Sequence, residues 1–310
     1  MKVLLVATND WSNVGSTYAE ALRSVGVDAT MVASSKHRFR YPNQALIRQN
    51  NIPQVEKLMQ DADIIQIMHS LTPGWVRNVS GKKIVVFHGG SKYRCNIDTK
   101  NKEFNSVVEM SIIQTPDLLG KGAKNERWVM APVDTNKLLP VYDVGSGDNI
   151  VIGHYPSSVI TKGSDKVFKI VNDLKNKYKN IDYRFSPDPT DWKIYIKKLA
   201  ACDIYIERMM IPKEDGIKPV CSITALEAAA LGKVVITNFD YVDLYEKEYG
   251  DYDLSIANSE EEMEQVLDRF LSMTKKQLLE HKIKCRKWAE KFHSYKSIGN
   301  RLKKCYEEIL

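Results

Sequence analysis

Apolar and polar positions follow each other along the chain in a repeating order. The first segment, KVLLVAT, is a continuous apolar run. A polar loop, NDWSNVGS, comes next, then Tyr18, Ala19, Leu22 and Val25 at helical spacing, Gly26, and a second apolar run, DATMVAS. Strand, loop, helix and strand in that order need a crossover connection, and a crossover implies parallel strands. ADIIQIM, KKIVVFH and MSIIQTP supply further strands. Each ends in polar, proline or glycine residues, so their polar ends form one rim.

The stretch VYDVGSGDN (141–149) is poor in apolar residues and rich in turn formers, and reads as a linker. Beyond it the rhythm restarts. IVIGHYP is a strand, and Val167, Ile170, Val171 and Leu174 share one face of a helix capped by Ser164 or Asp165. DYRFSP, DIYIE and KVVITN follow as strands, separated by the helical segments WKIYIKKLAAC and SITALEAAALG. The lysine-rich stretch from about 275 to 310 is helical, with Leu278, Trp288, Phe292, Ile298, Leu302 and Tyr306 as its buried residues. The expected fold is therefore α/β, with two Rossmann-like domains, 1–144 and 145–286, facing across a cleft. Ligands bind such folds at the carboxyl ends of the strands.

Composition narrows the class. The chain has 310 residues, 43% of them hydrophobic, which suits two cores rather than one. Its net charge of +6 is spread over both signs, a mild basic bias that allows anionic partners without demanding them. Five scattered cysteines with no CxxC pair argue against a disulfide framework and a structural zinc site, and fit a reducing cytoplasm. The amino-terminal apolar run meets Asn9 and Asp10 too early for a signal peptide, and no run of 18 apolar residues suggests a membrane span. Peripheral contact with a membrane surface stays open.

Six stretches can carry chemistry. In HYPSSVITKGSDK, Gly163 allows close backbone approach, and the helix start after it offers free N–H groups beside Lys162. That is an anion site suited to a diphosphate, or a surface lysine before an ordinary helix. The loop matches neither the Walker A nor the GxGxxG pattern, so nucleotide hydrolysis and nicotinamide binding have no motif. In VCSITALEAAALGKVVIT, Ser222 stands where it can cap a helix whose first amides, at Ile223 and Thr224, face phosphate. Glu227 there can accept from ribose hydroxyls or simply favour the helix dipole. His88 ends a strand before Gly89-Gly90, facing the cleft or serving structure, and Gly15 opens the first helix after a polar loop. The basic run SSKHRFRYP offers Arg38 and Arg40 to an anionic acceptor or a membrane, or to solvent alone. The charged stretch 207–220 holds Glu207, Arg208, Glu214 and Asp215, for substrate or for solvent.

HYPSSVITKGSDK, ALEAAALGKVVIT, IIQTPDLL with WVMAPVDTNKLLP, and VVFHGG together resemble the retaining glycosyltransferases of family 4, which have the two-domain GT-B architecture. The resemblance implies a nucleotide-diphosphate-sugar donor held mainly by the second domain and an acceptor held mostly by the first. It further implies transfer with retention, no cofactor and no required metal. Lys162 would contact the diphosphate, with Ser157 and Gly163 beside it; the amides from Ser222 through Ile223 to Thr224 would hold the phosphates. Glu227 would hold the ribose, His88 the transferred sugar, and Gly15 would face the donor. The carboxyl-terminal helix, about 287–310, would cross back onto the first domain. Two positions depart from the family pattern: Pro219 stands where many members carry a glutamate, and Pro156-Ser157-Ser158 where many carry an arginine. Glu214 or Asp215 is then the carboxylate available to contact sugar. The acceptor, whether saccharide, lipid-linked, protein or nucleic acid, is left open. A nucleotide-sugar epimerase and a nucleotide-sugar-binding protein with weakened catalysis are the alternatives.

Overall fold

The computed structural model describes residues 1–42, 45–77, 79–144, 147–187, 190–209 and 220–310. They form two compact units, Met1–Pro132 with His293–Leu310, and Val133–Phe292.

In the first unit a parallel sheet runs β3-β2-β1-β4-β5-β6-β7. Its strands are β1 (Lys2–Asn9), β2 (Asp28–Ser35), β3 (Leu46–Ile47), β4 (Ile64–Ile67), β5 (Lys83–His88), β6 (Met110–Ile113) and β7 (Glu126–Trp128). The central strand β1 pairs on one side with β2, Leu4 opposite Thr30, and on the other with β4, Leu4 opposite Ile65. Strand order therefore reverses between β1 and β4. Helices α1 (Val14–Ser24), α2 (Ile52–Asp61), α3 (Gly90–Arg94) and α4 (Ile97–Phe104) belong to the same unit. Leu4, Val6, Val32, Ile65, Val86 and Phe104 form one core, which is why the central strands read as unbroken apolar runs.

In the second unit the sheet runs β12-β11-β10-β8-β9, again parallel. Its strands are β8 (Ile150–His154), β9 (Ile181–Phe185), β10 (Ile204–Ile206), β11 (Val234–Thr237) and β12 (Ser255–Ile256). Its helices are α5 (Ser164–Lys177), α6 (Trp192–Ala200), α7 (Ile223–Ala230), α8 (Val242–Glu248), α9 (Glu260–Leu271) and α10 (Lys275–Trp288). The anticipated face of α5, Val167, Ile170, Val171 and Leu174, is buried against Ile152, Ile204, Ile206 and Phe270. Here order reverses between β8 and β10. The α/β class, with two parallel sheets and their helices, is as expected.

The change of unit falls at Val133 rather than in the turn-rich stretch near 144. Three buried cations of the second unit explain this. Arg286 donates to the carbonyls of Thr135 and Leu138, Lys233 to that of Val141, and Lys282 to that of Tyr142. Composition marks turns, but these backbone bonds bind 133–142 to the unit that follows.

The carboxyl-terminal helical stretch is broken. A capping box between Thr274 and Gln277 starts α10, a wide π-type turn occupies Ala289–His293, and Ser294 caps a new helix, α11 (Tyr295–Glu307). Leu278, Trp288, Ile298, Leu302 and Tyr306 are buried as expected, while Phe292 is half-buried. α11 returns to the first unit. It packs on α1 so closely that a Cβ at Gly299 would lie within 2.1 Å of the Ala21 carbonyl oxygen, and Tyr306 donates to Gln66 Oε1. Among the described residues no helix is long and apolar enough to cross a membrane.

Gly299→Ala should therefore push α11 off α1 and cost roughly 1–3 kcal/mol or more, as overpacking against backbone does. Urea unfolding of the variant against the parent chain measures this, and an unchanged midpoint would contradict the packing.

Candidate functional site

Strand order reverses between β8 and β10, and the carboxyl ends of strands at such a reversal are where open α/β sheets take ligands. His154 ends β8 and is fully buried. Its Nδ1 lies 2.8 Å from the Ile206 carbonyl oxygen and its Nε2 2.8 Å from Ser164 Oγ. A carbonyl only accepts, so Nδ1 carries the proton and Nε2 accepts from the serine hydroxyl. Burial, the largest influence, pushes the ring down to about 4, so it is neutral at physiological pH. One imidazole thus joins β8, β10 and the start of α5.

The loop between β8 and α5 closes on itself. Ser164 N–H donates to the Val159 carbonyl at 3.0 Å, Gly163 N–H to Ile160 at 3.2 Å, and Lys162 N–H to Ser158 at 3.2 Å. The helix cap is Gly163, at φ 60°, instead of Ser164 or Asp165. A left-handed residue is needed to turn the chain into α5, and glycine takes that conformation without a Cβ clash. Ser157 is exposed on this loop, and the turn directs Lys162 inward.

Lys162 meets Glu207, which follows β10 and is 1% exposed. The carboxylate is saturated. Oε1 accepts from Lys162 Nζ and from Ser222 Oγ at 2.7 Å; Oε2 accepts from Arg208 Nε at 2.6 Å and from Thr237 Oγ1 at 2.7 Å. Burial alone would raise its pKa, but Arg208 and Lys162 outweigh burial and hold it far below the carboxylate range. Burial, then the neighbouring Arg208, lowers the Lys162 ammonium to about 8. At neutral pH the cluster holds two cations and one anion, so one positive charge is left over beside a helix start.

That helix is α7. Ser222 precedes it, but its hydroxyl makes no capping bond. It bridges Glu207 and Thr224 Oγ1, the latter at 2.7 Å, so the expected serine cap is replaced by a bridge to the carboxylate. Ile223 and Thr224 occupy the first turn, where N–H groups lack helical acceptors. One turn on, Glu227 is 7% exposed and accepts from Trp192 Nε1 at 2.6 Å. Burial raises its carboxyl to about 7, against a smaller lowering by that hydrogen bond, so it is close to half protonated at neutral pH.

The remaining candidates lie in the first unit. Gly15 is enclosed: its N–H donates to Asp10 Oδ1 at 2.7 Å, and a Cβ would lie 2.6 Å from Met31 Sδ. Asp10 Oδ2 takes the N–H and hydroxyl of Ser16, at 2.8 and 2.7 Å. An internal carboxylate thus fills the start of α1, and Gly15 packs against it and Met31. His88 has no exposed surface within the structure. Its ring stacks on Tyr93 at 4.0 Å, and its Nδ1 lies 2.8 Å from Ser70 Oγ. Burial, then Lys100, pushes it down to about 3. Arg38 and Arg40 are exposed; the Arg38 guanidinium covers the Phe39 ring at 4.8 Å. Glu214, Asp215 and Pro219 lie outside the described residues.

The structure thus joins Lys162, Glu207, Arg208, Ser222 and Thr224 directly. It adds Thr237 and Trp192, which the sequence gives no reason to single out because they come from a strand end and a helix start far along the chain. Asp10 had a readable signal, a carboxylate five residues before a helix glycine. Among the described residues no group of three or more His, Cys, Asp or Glu side chains is arranged to hold a metal ion.

No protein family and no curated protein matches the chain by sequence. Solved structures match it in fold over its whole length. An α-glucosyltransferase in complex with UDP is 13% identical, with 100% of this chain and 99% of that one covered and a TM-score of 0.64. Sucrose-phosphate synthase from Thermosynechococcus elongatus is 12% identical, covering 100% and 99%, with a TM-score of 0.62. HepE from Anabaena, in complex with UDP, is 12% identical, covering 99% and 100%, also at 0.62. The shared architecture is the GT-B fold.

Glu227→Gln should remove a pH dependence of stability. A carboxyl whose folded pKa is raised binds more protons folded than unfolded, so its contribution declines as pH rises from about 4.5 through about 7. The variant should lack that decline and be more stable than the parent at pH 8, by up to about 3 kcal/mol. Chemical denaturation at pH 4.5, 6 and 8 reads the difference.

Proposed function

We propose that the chain is a glycosyltransferase that moves a sugar from a nucleotide-diphosphate-sugar to an acceptor, with retention and without a metal. The observation that carries the reading is the cluster at the β8/β10 reversal, where Lys162 and Arg208 bind opposite oxygens of Glu207 next to the first turn of α7. The surplus positive charge and the Ile223 and Thr224 amides are complementary to a diphosphate. Glu227, four residues beyond Ile223, is suited to a ribose diol, since at neutral pH its carboxyl can both donate and accept. That the solved structures of the α-glucosyltransferase and HepE are each in complex with UDP supports a nucleoside diphosphate as the bound group.

In the transfer, the bond between the sugar anomeric carbon and the diphosphate oxygen breaks, and its electron pair goes to the diphosphate. Charge therefore grows on the leaving group in the transition state. A lysine and an arginine already fixed by Glu207 stabilise that charge without reorganising, which lowers the barrier more than it tightens ground-state binding. The acceptor hydroxyl attacks on the same face, and its proton passes to the departing diphosphate oxygen. The protein need not supply a covalent nucleophile.

UDP, GDP and ADP offered to the protein should include at least one that raises its unfolding temperature, by mass action on the folded state. Arg208→Ala should weaken that ligand about tenfold or more, the effect of losing a charged hydrogen bond. Above a pH of about 8, where Lys162 gives up its proton, affinity should fall about tenfold per pH unit. No shift with any of the three would sink the reading. Release of an epimerised sugar in place of transfer or slow donor hydrolysis would redirect it to the epimerase alternative.

A further inference from the structure

The second sheet stops one strand short of the first on one side. In the first unit β2 stands next to β1 and is covered in turn by β3; β9, at the matching place next to β8, pairs with β8 alone among the described residues. The direction of its backbone groups follows from its bonds. The Asn180 carbonyl accepts from Ile150 N–H at 2.8 Å and Ser186 N–H donates to the His154 carbonyl at 3.3 Å, so the even-numbered residues face β8. In a parallel ladder the residues between them direct both N–H and C=O the other way. Ile181, Tyr183 and Phe185 therefore line a free edge, and such an edge is a template for another strand.

The side chains of β9 fit one strand in particular. Asp182 and Arg184 flank Tyr183 symmetrically on one face of the strand; Arg184 Nε and Nη2 lie 2.9 and 2.7 Å from Asp182 Oδ2, and the Asp182 and Arg184 side chains are 38% and 44% exposed. An antiparallel copy of β9 centred on Tyr183 exchanges backbone bonds at Tyr183 and between Ile181 and Phe185. It also sets Asp182 of each copy opposite Arg184 of the other, in the non-hydrogen-bonded position where Cα atoms approach to about 4.5 Å and side chains meet most closely. The charges then alternate in sign around the two-fold axis. Like charges at these positions would repel a second copy, and this strand attracts one. The opposite face adds apolar surface. Phe185 is 43% exposed with its ring 6.5 Å from that of Tyr183, and Phe168 of α5, 55% exposed, lies 6.4 Å from the same ring.

We propose that β9 pairs antiparallel with β9 of a second copy of this chain, about a two-fold axis at Tyr183, so that two sheets of the second unit join into one. The pairing needs only this edge and is independent of the glycosyltransferase reading. A five-residue strand with Phe168 beside it covers less than the roughly 800 Å² per partner of a stable complex, so the dimer forms and dissociates with concentration.

Sedimentation equilibrium of the full chain over a range of concentrations should show a monomer–dimer equilibrium. Asp182→Arg and Arg184→Asp each set like charges against one another across the axis, and each should raise the dissociation constant about tenfold or more. An equimolar mixture of the two variants should recover the dimer, because each supplies the charges that the other lacks. The double variant, with both substitutions in one chain, should recover it too. Recovery also shows that neither substitution acts by unfolding the chain. In the parent chain, the Tyr183 and Phe185 amides, which β8 does not use, should become protected from hydrogen exchange as the dimer forms. A chain that stays monomeric at every concentration leaves the edge to a different partner and overturns the proposal. So does a dimer whose Tyr183 and Phe185 amides exchange as fast as in the monomer, or one indifferent to both single substitutions.

Discussion

A single ionised carboxylate with almost no exposed surface organises the carboxyl-end rim of the second unit's sheet. Glu207 is tolerable there because each oxygen has one cationic and one hydroxyl donor, drawn from the β8–α5 loop, the segment just after β10, the approach to α7 and the end of β11. Taking a charge out of water costs several kcal/mol, and removing one partner of such a pair leaves the other stranded. The four segments are therefore tied to one point. Their common anchor also sets the separation of Lys162 and Arg208, the preorganisation on which the proposed transfer relies.

Behind that point the backbone is held by groups that do no chemistry. His154 joins two strands and a helix, and the left-handed turn at Gly163 brings Lys162 inward. Farther from the rim, buried Arg286, Lys282 and Lys233 donate to the carbonyls of 135–142, and Lys282 also pairs with Asp203 at 2.5 Å. Buried cations satisfied mainly by backbone carbonyls confer specificity of connection, because a misplaced segment would leave them unpaired in a low dielectric.

The two units place polar side chains at the same topological position, the reversal of strand order, yet by opposite means. In the second unit Ser222 makes no capping bond to the helix start, and Lys162 and Arg208 collect beside it. In the first, Asp10 closes the helix start. Parallel sheets leave strand ends diverging at a reversal, so side chains there cannot be covered by a crossover helix and are free to meet a ligand.

The alternation of apolar runs with 3.6-residue spacing was enough to determine the parallel α/β class, most central strands and the buried face of α5, because hydrophobic periodicity is a local property of the chain. The stretches around Lys162, Ser222 and Glu227 were legible for the same reason, as the first two stand just before a helix and the third lies within one. The short edge strands β3, β7 and β12 were not, since two or three residues carry no period. Nor were the partners. That Glu207 meets Lys162, that Trp192 reaches Glu227 and that His88 is walled in behind Ser70 all depend on side chains far apart in sequence. Only the tertiary structure decides such pairings, because burial turns a distant polar residue into an obligatory partner, and burial is set by the packing of whole elements.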